Sequence, residues 1–275
     1  MFTVKSVIAA GAAAFISTVA CAADMAMPPP PQLPYQPLPV GTPASGWYLR
    51  GDIGIGMTGA FSLDYLPNPL NPPNNFAFQH SSLADSVFFN AGVGYELNNW
   101  LRFDVTGEYR AKTAVNAFGL YTLGGGTFGD SYQGNLNSWV VLANGYVDLG
   151  TWWCLTPFVG AGVGGAYNTM AGLTDIGIYT AGTGIGRNSS SWSPAWALYA
   201  GITYNVTQNF KVDLSYRYLN YGSVTDTIDC AGGCNPDSYK FGNLSSQDLM
   251  LGVRFLLQPE PPPVFMPQPP LMSRG

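Results

Sequence analysis

The sequence predicts an all-β protein: an eight-stranded antiparallel up-and-down transmembrane β-barrel with Pro-rich disordered N- and C-terminal tails. Three observations carry this. Side chains alternate with a period of two through eight segments of 10 to 13 residues, the period of a strand. The connections between those segments alternate long and short. Only 10% of the 275 residues are charged, about half the share usual in a soluble domain. No apolar run of about 18 residues follows the N-terminal stretch, which argues against membrane helices. A span without helices must close into a barrel, because lipid offers backbone groups no partners.

Residues 1–22 read as a signal peptide, with Lys5 as the basic region, Val7 to Val19 as the apolar stretch and Ala20-Cys21-Ala22 as the cleavage site. Cys21 raises a lipoprotein reading; Thr18, standing where such sites carry Leu, disfavours it. Residues 23–45 form a Pro-rich N-terminal segment, 46–257 the barrel and 258–275 a Pro-rich C-terminal tail, with both tails expected to be extended and periplasmic. Four of the remaining prolines lie in one loop (Pro67, Pro69, Pro72, Pro73) and Pro236 in another. Pro157 and Pro194 are placed at or just before strand starts, so that none interrupts a ladder. Removing Lys5 with the leader takes the net charge from −5 to −6. An acidic chain without basic clusters argues against nucleic acid as a partner.

The eight segments are 46–57, 86–97, 101–110, 138–149, 155–167, 196–206, 210–221 and 246–257, joined by connections of 28, 3, 27, 5, 28, 3 and 24 residues. Outer-membrane barrels have short periplasmic turns and long external loops, so 58–85, 111–137, 168–195 and 222–245 are expected outside and both termini in the periplasm. Along 155–167, Val159, Ala161 and Val163 point one way and Phe158, Gly160, Gly162 and Gly164 the other, a greasy face against a nearly bare one. The remaining lipid faces include Trp47, Leu49, Ile53; Phe89, Val93; Phe103, Val105; Leu198, Ile202; Leu214, Tyr216; and Leu249, Leu251, Val253, Phe255. In 138–149 Val140, Val141 and Leu142 are all apolar, so its phase rests on Asn144 and Asp148. Aromatics gather at two levels, Trp47, Tyr95, Trp100, Trp152, Trp153 and Phe210 near the short turns and Tyr109, Trp139, Tyr167 and Trp196 near the long loops. These are the expected interfacial girdles.

At GWYLRGDIGIG in the first segment, NGYVDLGTWWCLTPFVGAGVGG at the central hairpin, YRYLNYG after Ser215 and the closing LMLGVRF, the chain resembles the small eight-stranded outer-membrane barrels of alphaproteobacteria, of the porin-family, opacity-type and OmpA-like kind. The resemblance covers about Gly46 to Leu257. It implies a cell outer-membrane location in a Gram-negative bacterium, contact with lipid and lipopolysaccharide, and insertion by the barrel-assembly machinery. In one respect the chain departs from the pattern. Such barrels end on an aromatic used in assembly, whereas here Leu257 holds that place and 18 residues follow.

The candidate site is the lumen. Inward positions carry Arg50, Asp52, Glu96, Arg102, Asp104, Glu108, Arg110, Asp148, Lys211, Asp213, Arg217, Asp248 and Arg254, six bases against seven acids. An eight-stranded barrel is only wide enough for side chains to fill, so these charges must pair or hold water. A closed, ion-paired interior is expected, with Glu108, Arg110, Asp213 and Arg217 central. Other motifs carry less. Two G-x-G-x-x-G matches, at Gly54 and Gly160, lie inside strands and open no helix, so the dinucleotide reading fails. His80, Ser81 and Asp85 nominally supply a nucleophile and base, but on a Pro/Asn-rich loop that is poorly suited to preorganise them. Cys230 and Cys234 are expected to form a local disulfide in the last loop, leaving Cys154 unpaired. No catalytic residue, metal or cofactor is assigned. The expected function is structural and surface display through four long loops, with a narrow porin-like channel or a surface adhesin of unknown ligand as alternatives.

Overall fold

A computed structural model of the chain describes residues 45–59, 61–66, 74–123, 125–178, 183–230 and 237–257. The leader, both Pro-rich tails and Cys234 lie outside the described residues. In chain order the strands are β1 (Gly46–Thr58), β2 (Ser62–Leu66), β3 (Asn74–Leu83), β4 (Ser86–Glu96), β5 (Leu101–Leu123), β6 (Gly126–Asp148), β7 (Leu155–Gly177), β8 (Thr183–Gly186), β9 (Ser190–Asn205), β10 (Phe210–Cys230) and β11 (Asp237–Leu256). Eight of them close a ring in which every neighbour is antiparallel, running β1, β4, β5, β6, β7, β9, β10, β11 and back to β1. Where the ring is closed, these strands have no free edge to template aggregation.

The ring strands begin where the alternation begins at the short turns, but they run on much further at the other end. β5, β6 and β7 are each 23 residues long, β10 21 and β11 20. The spans 111–137, 168–195 and 222–245, expected as loops, are therefore largely wall. In 58–85, β2 pairs with β11 and β3 with β5, taking over from β1 and β4. Bulges hide this from a period-two reading. The register slips between Arg110 and Thr113 in β5, between Ala171 and Thr174 in β7, and around Gly222 in β10. Gly172 and Gly222 take positive φ there. Each slip moves the inward set by one residue, so Arg110 points in and so do Thr113, Val115 and Ala117.

One proline departs from expectation in the same way. Pro157 lies at the start of β7 as expected, but Pro194 lies inside β9, where it pairs with Gly165. The ladder from β9 to β10 ends at Trp196 and Asn220, so Pro194 sits where one side of β9 is no longer paired, the setting in which a missing N–H costs nothing.

Polarity divides the barrel into two zones. From the short turns up to Tyr109, Trp139 and Tyr167 the outer face is apolar, with Leu49, Phe89, Val105, Val159, Leu198 and Leu251 all about half exposed. Along β6 this set runs from Trp139 to Leu149, one residue past the strand's end, about 25 Å across the bilayer at barrel tilt. The residues from Gly126 to Trp139 carry the wall roughly 30 Å further by the same rise. There most outward residues are polar, among them Asn116, Gln133, Thr225 and Lys240, with Ile176 and Ile185 as exposed apolar exceptions, while the inward ones form an ordinary core of Leu83, Val115, Tyr132, Leu136, Leu173, Val224, Ile228, Phe241 and Leu244.

Glycines make the membrane zone fit. A side chain at Gly160 would collide with the Tyr146 ring, one at Gly94 with Tyr48, and one at Gly252 with Asp52. Each bare position is where a large inward side chain of the next strand lies across the backbone. β6 settles its phase the same way: Val140, Leu142, Asn144 and Tyr146 point in, Trp139, Val141 and Val147 out.

Candidate functional site

The barrel's alternation delivers all thirteen sequence-singled charges to the interior, each in at least one ion pair. They form two storeys. The outer storey joins Glu108, Arg110, Arg217 and Asp248. Arg217 reaches Glu108 at 2.6 Å and Asp248 at 2.5 Å; Arg110 reaches the same two at 2.9 and 3.0 Å. Ser246 Oγ donates to Asp248 at 2.8 Å. Two bases and two acids cancel, and both guanidiniums lie 4.8 Å from the centre of the Phe88 ring.

The inner storey is broader. Arg254 binds Asp213 at 2.6 Å and Glu96 at 3.2 Å, and Lys211 binds Glu96 at 2.8 Å. Arg50 spans Asp52 and Asp104, both at 2.8 Å. Tyr48 and Asn144 donate to Asp104, and Thr203 donates to Asp213. Asp213 thus belongs with Arg254, and Asp248 takes the central place beside Arg217 that was expected for it. The reason is register: Arg217 lies directly opposite Asp248 on β11, whereas Asp213 is four residues nearer the short turns.

Arg102 is the exception in kind. Its Nε donates to Asp148 at 3.2 Å, but neither terminal nitrogen has a hydrogen-bond partner. The guanidinium is instead packed against Tyr146 and Phe158, 4.2 and 4.5 Å from the ring centres, a cation–π arrangement that recovers part of its lost hydration. Below this storey a cavity of about 200 Å³, lined by Glu96, Asp148, Thr156, Thr203, Lys211 and Arg254, opens beside the short turns. Sequence reasoning placed Phe158 on the inward face but missed Tyr48, Phe88, Tyr146 and Tyr199, which with it fill the space between the charges; their inward parity was the available signal.

The remaining singled residues are scattered. His80 and Ser81 lie on β3 rather than in a loop. As strand neighbours they point to opposite faces, His80 exposed and Ser81 Oγ donating to Phe61 O at 2.7 Å; Asp85 is exposed. Cys230 closes β10, and the disulfide expected with Cys234 falls outside the described residues. Cys154 is a free, exposed thiol. At the short turns Trp47 meets Tyr95 edge to face, and Trp100, Trp152 and Trp153 are exposed. At the outer level Tyr109 packs on Trp139, Tyr167 on Trp192 and Trp196 on Tyr218. Trp192, placed in a loop by sequence, extends that ring.

A closed antiparallel ring, apolar outside and charged inside between two aromatic levels, defines a transmembrane β-barrel. The chain belongs to the outer membrane protein beta-barrel domain family, whose model matches residues 12–255. It is 34% identical over 222 residues to an uncharacterized protein of Brucella abortus, covering 74% of this chain and 76% of that one. Outer membrane protein PagN of Salmonella typhimurium is 27% identical, over 76% of this chain and 89% of its own. A putative adhesin of Rickettsia conorii is 30% identical, over 60% and 65%. Among solved structures, Neisserial surface protein A aligns with 78% of this chain and 99% of its own at 19% identity and a TM-score of 0.43. The protein is a Gram-negative outer-membrane β-barrel.

Proposed function

We propose that this barrel is a sealed surface-display protein whose lumen is a structural plug and whose working part is the wall projecting from the cell. The observation that carries the reading is the stacking of seals along one axis: two ion-paired storeys in the membrane zone and an apolar core above them. A solute would have to break buried ion pairs, at several kcal/mol each, and then cross a packed hydrocarbon interior. In this reading the partners are lipid and lipopolysaccharide around the wall, the assembly machinery during insertion, and an exterior ligand met by the projecting end.

The test is planar-bilayer conductance of the refolded full chain. No steady conductance is expected, and a large, steady one would replace this reading with a narrow porin. The similarity to a putative rickettsial adhesin favours adhesion as the purpose of display. Expression on a non-adherent Gram-negative strain is then expected to confer attachment to animal cells, and display without attachment removes the adhesion reading while leaving the plug.

A further inference from the structure

The inward charges of the two zones differ in kind. In the membrane zone every acid has a base. In the projecting zone the described inward charges are all carboxylates: Asp130 on β6, Asp175 on β7, Asp226 on β10 and Asp237 on β11. The described bases of that zone, His80, Lys112, Arg187 and Lys240, are all exposed, and Arg187 pairs on the outside with Asp229 at 2.6 Å. Asp226 is fully buried and accepts from Ser189 Oγ at 2.6 Å and the Thr227 N–H at 2.9 Å.

The other three acids surround a tyrosine lid. Tyr132 OH donates to Tyr239 OH at 3.2 Å, with ring centres 5.0 Å apart, and Phe78 packs against both rings. Tyr132 faces Asp175 across the β6–β7 ladder, and Asp130 lies two residues along β6 on the same face. Asp237 lies two residues from Tyr239 on β11 and accepts from Tyr65 OH of β2 at 3.0 Å. β8, also paired with β7 here, offers no titratable group, and β10 presents Ile228 and, a layer deeper, Asp226. The described residues include no group of three acids arranged to hold a metal ion.

We propose that the exterior end of the barrel is a pH-responsive mouth, tight when Asp130, Asp175 and Asp237 are neutral and loosened by their mutual repulsion when they ionise. Burial, with Asp130 and Asp237 close by, pushes the Asp175 carboxyl up to about 7, and burial also raises Asp130 and Asp237. Opening solvates all three and returns them toward the ordinary carboxylate range, near 4. Between that range and about pH 7 the tight mouth binds more protons than the open one, so tightness is greatest in acid and falls as pH rises through the window. Above about pH 8 Asp175 is ionised in both states and its contribution to the fall stops.

Hydrogen exchange of the refolded full chain, corrected for the intrinsic pH dependence of amide exchange, reads this directly at residues 130–134, 173–177 and 237–241. Opening is expected to rise tenfold or more between about pH 5.5 and 8.5 and then level off, with membrane-zone amides unchanged. In Asp175→Asn the three segments should stay protected at both extremes. Should that variant fail to refold, Asp237→Asn removes one repelling neighbour and should move the wild-type midpoint to lower pH. A flat wild-type profile overturns the proposal, as does Asp175→Asn keeping the wild-type slope or Asp237→Asn leaving the midpoint in place.

Discussion

Arg217 is where the sealed lumen is most exposed to test. Its guanidinium is fully buried, bonds Glu108 and Asp248 and lies on Phe88. Arg217→Met keeps much of the aliphatic stem on that ring and removes the charge, leaving Glu108, Arg110 and Asp248 with one uncompensated negative charge in a dry interior. Breaking a buried pair in this way costs about 3 to 5 kcal/mol. Arg110 still reaches both carboxylates, so the lower end, about 3 kcal/mol, is expected. Adding Glu108→Gln restores neutrality through Arg110 and Asp248, and the double variant should recover about 2 kcal/mol of the loss. Denaturant unfolding of the refolded barrel in micelles, followed by tryptophan fluorescence, measures both. Brief, small conductance openings are expected from the single variant alone. A loss under about 1 kcal/mol for Arg217→Met, or strictly additive effects in the double variant, would refute the ion-paired plug.

Other outcomes follow from the same geometry. Val105→Arg, outward in the membrane zone, should cost about 2 to 4 kcal/mol in vesicles, whereas Asn116→Arg on the projecting wall should be near neutral; equal costs would contradict the two zones. Gly160→Val drives a side chain into Tyr146 and should destabilise by about 1 to 3 kcal/mol, while Gly107→Ala meets nothing within 4 Å and should be silent in the same melt. With Cys230 and Cys234 replaced by Ser, Cys154 should react with a membrane-impermeant maleimide only after the outer membrane is permeabilised; labelling on intact cells would invert the topology.

The ring was legible in the sequence because lipid imposes a one-sided rule. Ile53, Phe89, Val105, Ile202 and Leu251 must be apolar whatever they pack against, so period two stands out residue by residue. Which residues face the lumen came with it. Which lumen charges meet did not come so easily: Arg217 and Asp248 are 31 residues apart and meet through one hairpin register, but Arg217 and Glu108 meet across the barrel, and no local pattern encodes that. The projecting wall reads as loop in the sequence because many of its outward residues are hydroxyl and amide types common in turns. The bulges near Lys112, Gly172 and Gly222 then shift the phase just where polarity inverts. Trp192 and Pro194 were misplaced for the same reason.

Two sets of residues do two separable jobs in this barrel. Its depth in the membrane is set from outside. Sliding inward by one layer would draw Asn137 and Thr169 below the aromatic level and push Trp152 and Trp153 away from the interface, costs that fall on the wall alone. The seal is set from inside, and it moves with the barrel, so sliding neither makes nor breaks an ion pair. A lumen substitution such as Arg217→Met is therefore expected to lower stability without changing the depth reported by lipid-attached quenchers at Trp139. A rim substitution such as Trp139→Ser should change depth without opening the lumen. The glycines join the two jobs, since Gly94, Gly160 and Gly252 present bare backbone to the interior so that Tyr48, Tyr146 and Asp52 can lie across it. That close approach lets eight strands hold thirteen charges inside a wall thin enough to leave the outer face of the membrane zone to lipid.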